Sequence, residues 1–241
     1  MKKVLLVLLV ALLIVVTTSS VATAETITGA RAVADVEIET FVQELCLLNS
    51  EGNKADIVNF IKSKFRQALG EDDDIDSGAS KVTEDYFSVE GYSFWNIVAR
   101  ISNNTSNKQI VIGAHYDVLN GEGAADNAVG VAALYSTMKL LAANASRLPY
   151  NITFVAFDGE EYGLLGSQHF VSSYLSADQL LNTLVMFNID SIALGDNLYL
   201  MCEGRQHSFQ SFFALLKRYN YCFSYVYHLS LLLACIFPMS L

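Results

Sequence analysis

The sequence predicts an α/β fold, a three-layer α/β/α arrangement around a mostly parallel mixed sheet. Three observations lead there. Three short apolar runs, Gln109–Ala114, Asn151–Phe157 and Leu184–Ile189, have the length and residue types of strands buried on both faces. Helical patterns separate these runs, so successive strands return in parallel through crossover helices. Each run also ends on residues able to bind metals or move protons: His115 and Asp117, then Glu160 and Glu161, then Asp190. Open α/β sheets gather their ligands at the carboxyl ends of their strands.

The elements follow in order. Ala34–Leu48 carries Val36, Ile38, Phe41, Val42 and Leu45 at helical spacing. Asn53–Leu69 repeats the pattern through Ile57, Phe60, Ile61 and Phe65, with Gly70 as its stop signal. Residues 71–80 are acidic and read as an exposed loop. Tyr86–Val89 and Phe94–Ile101 read as strands joined by a turn near Gly91. After Gln109–Ala114, a loop over Leu119–Asp126 enters a helix over Ala128–Ala143, whose small residues Ala128, Gly130, Ala132 and Ala133 allow close approach to a sheet. Asn151–Phe157 is followed by a helix over Gly166–Tyr174. Another helix starts at Ala177 behind a Ser176 cap, and Leu184–Ile189 is the third buried strand. A further helical pattern spans His207–Asn220.

The two ends have a different character. Lys2 and Lys3 precede the apolar run Val4–Val16 and an Ala22-Thr23-Ala24 cleavage pattern. Residues 1–24 therefore read as a secretory signal peptide, and the expected location is the secretory lumen or the extracellular space. Residues 25–220 form the expected domain, and 221–241 an apolar tail that reads either as a buried strand pair or as a membrane anchor. The formal charge is −10 and no basic cluster occurs, which argues against nucleic acid as a partner. Sequons at Asn103, Asn104, Asn144 and Asn151 fit a glycosylated secretory product. Cys46, Cys202, Cys222 and Cys235 are too few and too scattered for a disulfide scaffold.

The chemistry concentrates in Phe157-Asp158-Gly159-Glu160-Glu161-Tyr162-Gly163-Leu164-Leu165-Gly166-Ser167. Adjacent glutamates cannot easily point at one atom, so one can bind a metal while the other faces a water, a division suited to metal-assisted hydrolysis. His115 and Asp117 sit two apart and share one side of an extended chain. A metal-binding imidazole commonly donates its second N–H to a carboxylate, which makes His115 a ligand candidate and Asp117 its orienter. Asp126 is either a ligand or a helix cap, and Asp190 either a ligand or a turn residue.

Together with Gly113-Ala114-His115-Tyr116-Asp117, Gly123-Ala124-Ala125-Asp126-Asn127-Ala128-Val129-Gly130 and Asn188-Ile189-Asp190, this stretch resembles the aminopeptidase-type M28 zinc peptidases over roughly Asn96–Ile192. The resemblance implies a zinc-exopeptidase type of sheet and two zinc ions bridged by Asp126. His115 and Asp190 would complete one ion and Glu161 would bind the other, with Glu160 as general base and Asp117 behind the ligands. The family's second ion needs a further histidine downstream. His207 and His228 are the candidates in this chain, which reads as a shortened or altered form of the family domain. A firm first ion and a weak second are therefore expected. The resemblance implies a peptide substrate and a secreted aminopeptidase or dipeptidase. The alternatives are a glutaminyl-cyclase-like acyltransferase or an inactive peptidase-like domain.

Overall fold

The computed structural model describes residues 24–72, 81–102, 106–193, 199–200 and 224–225, with side chains from residue 37 to 193 within those ranges. All but the last residue of the expected signal sequence, residues 73–80 of the acidic loop, the sequons at Asn103 and Asn104, His207, His228, Cys202, Cys222, Cys235 and nearly all of the apolar tail lie outside them. The chain divides into two compact units, Met1–Ala193 and Leu194–Leu241. In the second unit, two short parallel strands, Tyr199–Leu200 and Ser224–Tyr225, pair with each other. Among the described residues no helix is long and apolar enough to cross a membrane.

The first unit begins with two helices, α1 (Ala24–Glu51) and α2 (Lys54–Leu69). The boundaries of α2 follow from its caps. The Asn53 side chain accepts from the Ala55 N–H, and Gly70 ends the helix in a left-handed conformation. Five strands follow: β1 (Val82–Val89), β2 (Tyr92–Ile101), β3 (Gln109–His115), β4 (Asn151–Phe157) and β5 (Thr183–Asn188). Helix α3 (Val129–Ala142) lies between β3 and β4, and the short helices α4 (Leu165–His169) and α5 (Ala177–Leu181) lie between β4 and β5. α5 carries the Ser176 cap as a full capping box with Gln179.

The sheet order is β1-β2-β4-β3-β5. β4, β3 and β5 run parallel, and the β1–β2 hairpin continues the sheet in antiparallel fashion from β4. β1 starts four residues before the expected Tyr86. Its first half pairs Val82 with Ala99 and Asp85 with Asn96, and charged residues at an outer strand hide the apolar alternation that would reveal it. The expected Gly166–Tyr174 helix divides into α4 and a wider π-type turn over Phe170–Tyr174.

Both faces of the sheet are covered. On one, Val98, Val111, Val155 and Phe157 pack with Phe170 and Leu175 from the β4–β5 connection. Against the other lie α2 and α3, with α1 packed on both of them, bringing buried Phe41, Leu45, Ile61, Phe65, Leu134 and Met138. β3 is buried along its whole length. A central strand sealed on both faces is rigid, and it presents its final residue, His115, to the site.

Candidate functional site

Parallel β3, β4 and β5 bring three chain segments to one end of the sheet. His115 is the last residue of β3 and is only 2% exposed. Asp126 arrives on a π-type turn, Ala124–Ala128, that opens α3, and Asp190 follows β5. The Asp126–Asn127 peptide is cis. His115 Nε2 stands 3.0 Å from Asp126 Oδ1 and 3.6 Å from Asp190 Oδ1. One donor atom from each of the three lies within 4.8 Å of the others. Both carboxylates are solvent-exposed, so the group is a buried imidazole facing two acids across an open mouth.

Asp117 stands against His115 and also holds the next strand end. Its nearer carboxylate oxygen is 3.6 Å from His115 Nδ1, and that ring nitrogen meets the Asp117 backbone oxygen at 3.2 Å. The carboxylate serves two amides as well. Oδ1 accepts the Glu160 N–H and Oδ2 the Glu161 N–H, both at 3.1 Å. One buried acid thus pins two successive amides, so the two glutamate side chains leave a fixed backbone in different directions. The turn needs Gly159, at φ +67°, where a Cβ would also come within 2.9 Å of the Phe94 ring.

Asn127 is a residue whose role the sequence did not reveal. It is fully buried and caps no helix. Its Nδ2 donates to the Ile189 carbonyl at 2.8 Å, and its Oδ1 accepts the Ser191 N–H at 3.3 Å. The amide therefore brackets Asp190 from both sides and ties that segment to the one carrying Asp126. Gly130 makes the room, since a Cβ there would lie 2.2 Å from Asn127 Oδ1.

The electrostatics follow from crowding acids around one imidazole. Burial lowers the pKa of His115, but Asp117 and Asp190, with the field of Glu160, outweigh it and push the value up to about 11. Bonding to His115 holds Asp190 below its ordinary value. Burial raises the half-buried Glu160, which His115 partly offsets and the neighbouring acids reinforce. Burial also raises Glu161, with Asp126 the largest charge acting in the same direction. Such a cluster holds a proton tightly because it is short of positive charge. An imidazole with two carboxylates is a donor set that fits zinc, with three protein ligands as in catalytic sites. Glu161 lies outside this three-residue group.

Fold and site together define an α/β protein with a carboxylate-rich candidate metal centre at the ends of parallel strands. The family model described as "Peptidase family M28" matches residues 96–228, more than half of the chain, and the chain belongs to that family. The probable lipoprotein aminopeptidase LpqL of Mycobacterium tuberculosis is 32% identical over 120 residues, which are 49% of this chain and 24% of LpqL. The match thus spans about a quarter of that relative's length. Among solved structures, LapB from Legionella pneumophila superposes with a TM-score of 0.61 at 20% identity, covering 83% of this chain and 57% of LapB. An Acidobacteriales bacterium glutaminyl cyclase gives 0.60 at 19% identity, covering 80% of this chain and 73% of the cyclase. At those identities the likeness is one of fold.

Proposed function

We propose that this protein is a secreted, zinc-dependent exopeptidase, an aminopeptidase or dipeptidase. The observation that carries the reading is the convergence of His115, Asp126 and Asp190 beside a glutamate pair anchored by Asp117. Membership of the M28 family and identity with a probable aminopeptidase support it. The glutaminyl-cyclase reading rests on fold likeness alone.

In this reading His115, Asp126 and Asp190 would hold one zinc ion, and Glu161 with Asp126 would hold a second. When bound, zinc supplies Lewis acidity toward a peptide carbonyl and a water. Glu160 takes the proton from the attacking water and delivers it to the leaving amine. Its raised pKa suits a group that must both accept and return a proton near neutral pH. Asp117 holds the Glu160 amide, and so fixes where that carboxylate stands. His115 would hold the ion as the neutral imidazole, which requires it to give up its proton. Residues 1–24 supply the secretory address.

The deciding experiment is hydrolysis of a panel of aminoacyl arylamides by the full chain, with and without a zinc chelator. Chelator-sensitive release is expected. A zinc-loaded, folded protein that releases nothing from any member and instead cyclises N-terminal glutamine would replace this reading with the cyclase.

A further inference from the structure

We propose that Lys54 is a positioning residue for this site: from the first turn of α2 it clasps the ends of β3 and β4 together and so holds the Glu160–Glu161 backbone in place. The kinetic part of the proposal rests on the exopeptidase reading, whereas its structural part does not.

Asp158, two residues before Glu160, is a fully buried carboxylate. Its Oδ1 receives the Lys54 ammonium and the Gly159 N–H at 3.0 Å, and its Oδ2 receives the Trp95 N–H at 3.0 Å. The same ammonium stands 4.9 Å from the centre of the Tyr116 ring. Tyr116 is 1% exposed and lies between His115 and Asp117, and its hydroxyl donates to the Trp95 carbonyl at 2.8 Å. One lysine therefore touches the residue between two site residues at the end of β3 and the residue that starts the glutamate turn after β4. The Asp117–amide bonds join these two segments, and Lys54, Tyr116 and Asp158 join them a second time. A buried carboxylate needs a partner charge, because without one it must either pay its desolvation or take a proton. Lys54 lies outside residues 96–228, so α2, which precedes the family match, supports the site through Asp158 and Tyr116.

The test is amide hydrogen exchange in Lys54→Met and in the charge-neutral pair Lys54→Met/Asp158→Asn. The amides of Glu160 and Glu161 are read against those of Ile112 and Val155 in the sheet. Exchange at the two glutamates should accelerate at least ~10-fold while the sheet amides keep their rates, the pattern of a local opening. The double variant keeps side-chain volume without a lone buried charge. It should show the same local acceleration, and it carries the test if Lys54→Met does not fold. With an arylamide substrate, kcat should fall at least ~10-fold and KM change little, as expected when a catalytic group is displaced. Parental exchange at Glu160 and Glu161 in the variant that folds overturns the proposal, as does equal acceleration at all four amides. Exchange needs no turnover, so selective acceleration in a protein without peptidase activity would uphold the clasp and sink only the exopeptidase reading.

Discussion

Zinc binding should be coupled to the loss of one proton from His115 throughout the neutral range. The perturbation is pH. The acids around His115 push its pKa up to about 11, so at neutrality the imidazole carries its proton until a metal displaces it. Asp190 sits below its ordinary value and contributes no proton there. Each pH unit below about 11 then costs a factor of ten in apparent affinity, about 1.4 kcal/mol. Zinc affinity should therefore rise ~10-fold between pH 7 and pH 8. An unperturbed imidazole, with a pKa of about 6.5, would give a nearly flat response over the same interval. The assay is competition against a chelator of known protonation constants. Calorimetry in buffers of different ionisation enthalpy gives the proton count directly. About one proton released at pH 8 is the expected result, and a count near zero would refute the reasoning. The sign for the metal-depleted protein is the opposite one. Because the folded pKa lies above the unfolded value, the charge cluster stabilises the fold fully below pH 6.5, and that contribution is lost as pH rises to about 11.

Four further outcomes are expected. Glu160→Gln should keep its metal while turnover drops by at least ~10²-fold, measured by metal analysis beside arylamide hydrolysis; unchanged turnover would remove Glu160 from the proton-transfer role. Asp126→Ala should empty both zinc positions, whereas His115→Ala should weaken chiefly one, so equal and independent losses in the two variants would contradict a bridging Asp126. Asn127→Asp keeps the acceptor for Ser191 N–H but turns an oxygen toward the Ile189 carbonyl. It should lower stability by about 1–3 kcal/mol in denaturant titration and weaken zinc binding by loosening Asp190. Gly130→Ala forces a Cβ against the same amide and should cost about 1–3 kcal/mol, with parental stability and zinc affinity counting against the Asn127 bracket.

Much of this architecture can be read from local pattern. β3, β4 and β5 are continuous apolar runs, and α2 is bounded by Asn53 and Gly70, whose roles are written in residue type. His115, Glu161 and Asp190 are legible because they follow those runs, whereas Asp126 lies in a loop and reads equally as a helix cap. What escapes local reading depends on contact at a distance. Asn127 sits where a loop enters a helix, yet its partners Ile189 and Ser191 lie far along the chain. Lys54 looks like a solvated helix residue until Asp158, 104 positions away, is brought beneath it. The first half of β1 escaped because Asp85 is a buried acid, satisfied by Asn96 across the hairpin and by His169 from α4. Asp117 reads as a neighbour of His115, and what local pattern does not show is that its carboxylate also serves the amides of the next strand end.

The pairing of β3 with β4 and β5 has a consequence for how the site tolerates change. Beyond an irregularity at Gln109/Ile110, the β3–β5 register runs unbroken from Ile110–Val185 to Gly113–Asn188. The irregularity lies at the far end of the strand from His115. Neighbouring strands in any sheet stand about 4.8 Å apart, a spacing set by backbone hydrogen bonds. His115 and Asp190 thus emerge from adjacent strands and inherit their separation from a ruler that side chains do not alter. Lengthening the connections at the opposite edge, such as the turn at Arg147–Tyr150, leaves that ruler untouched. A one-residue slip of β5 against β3 would carry Asp190 away from His115 and turn the whole of β5 over.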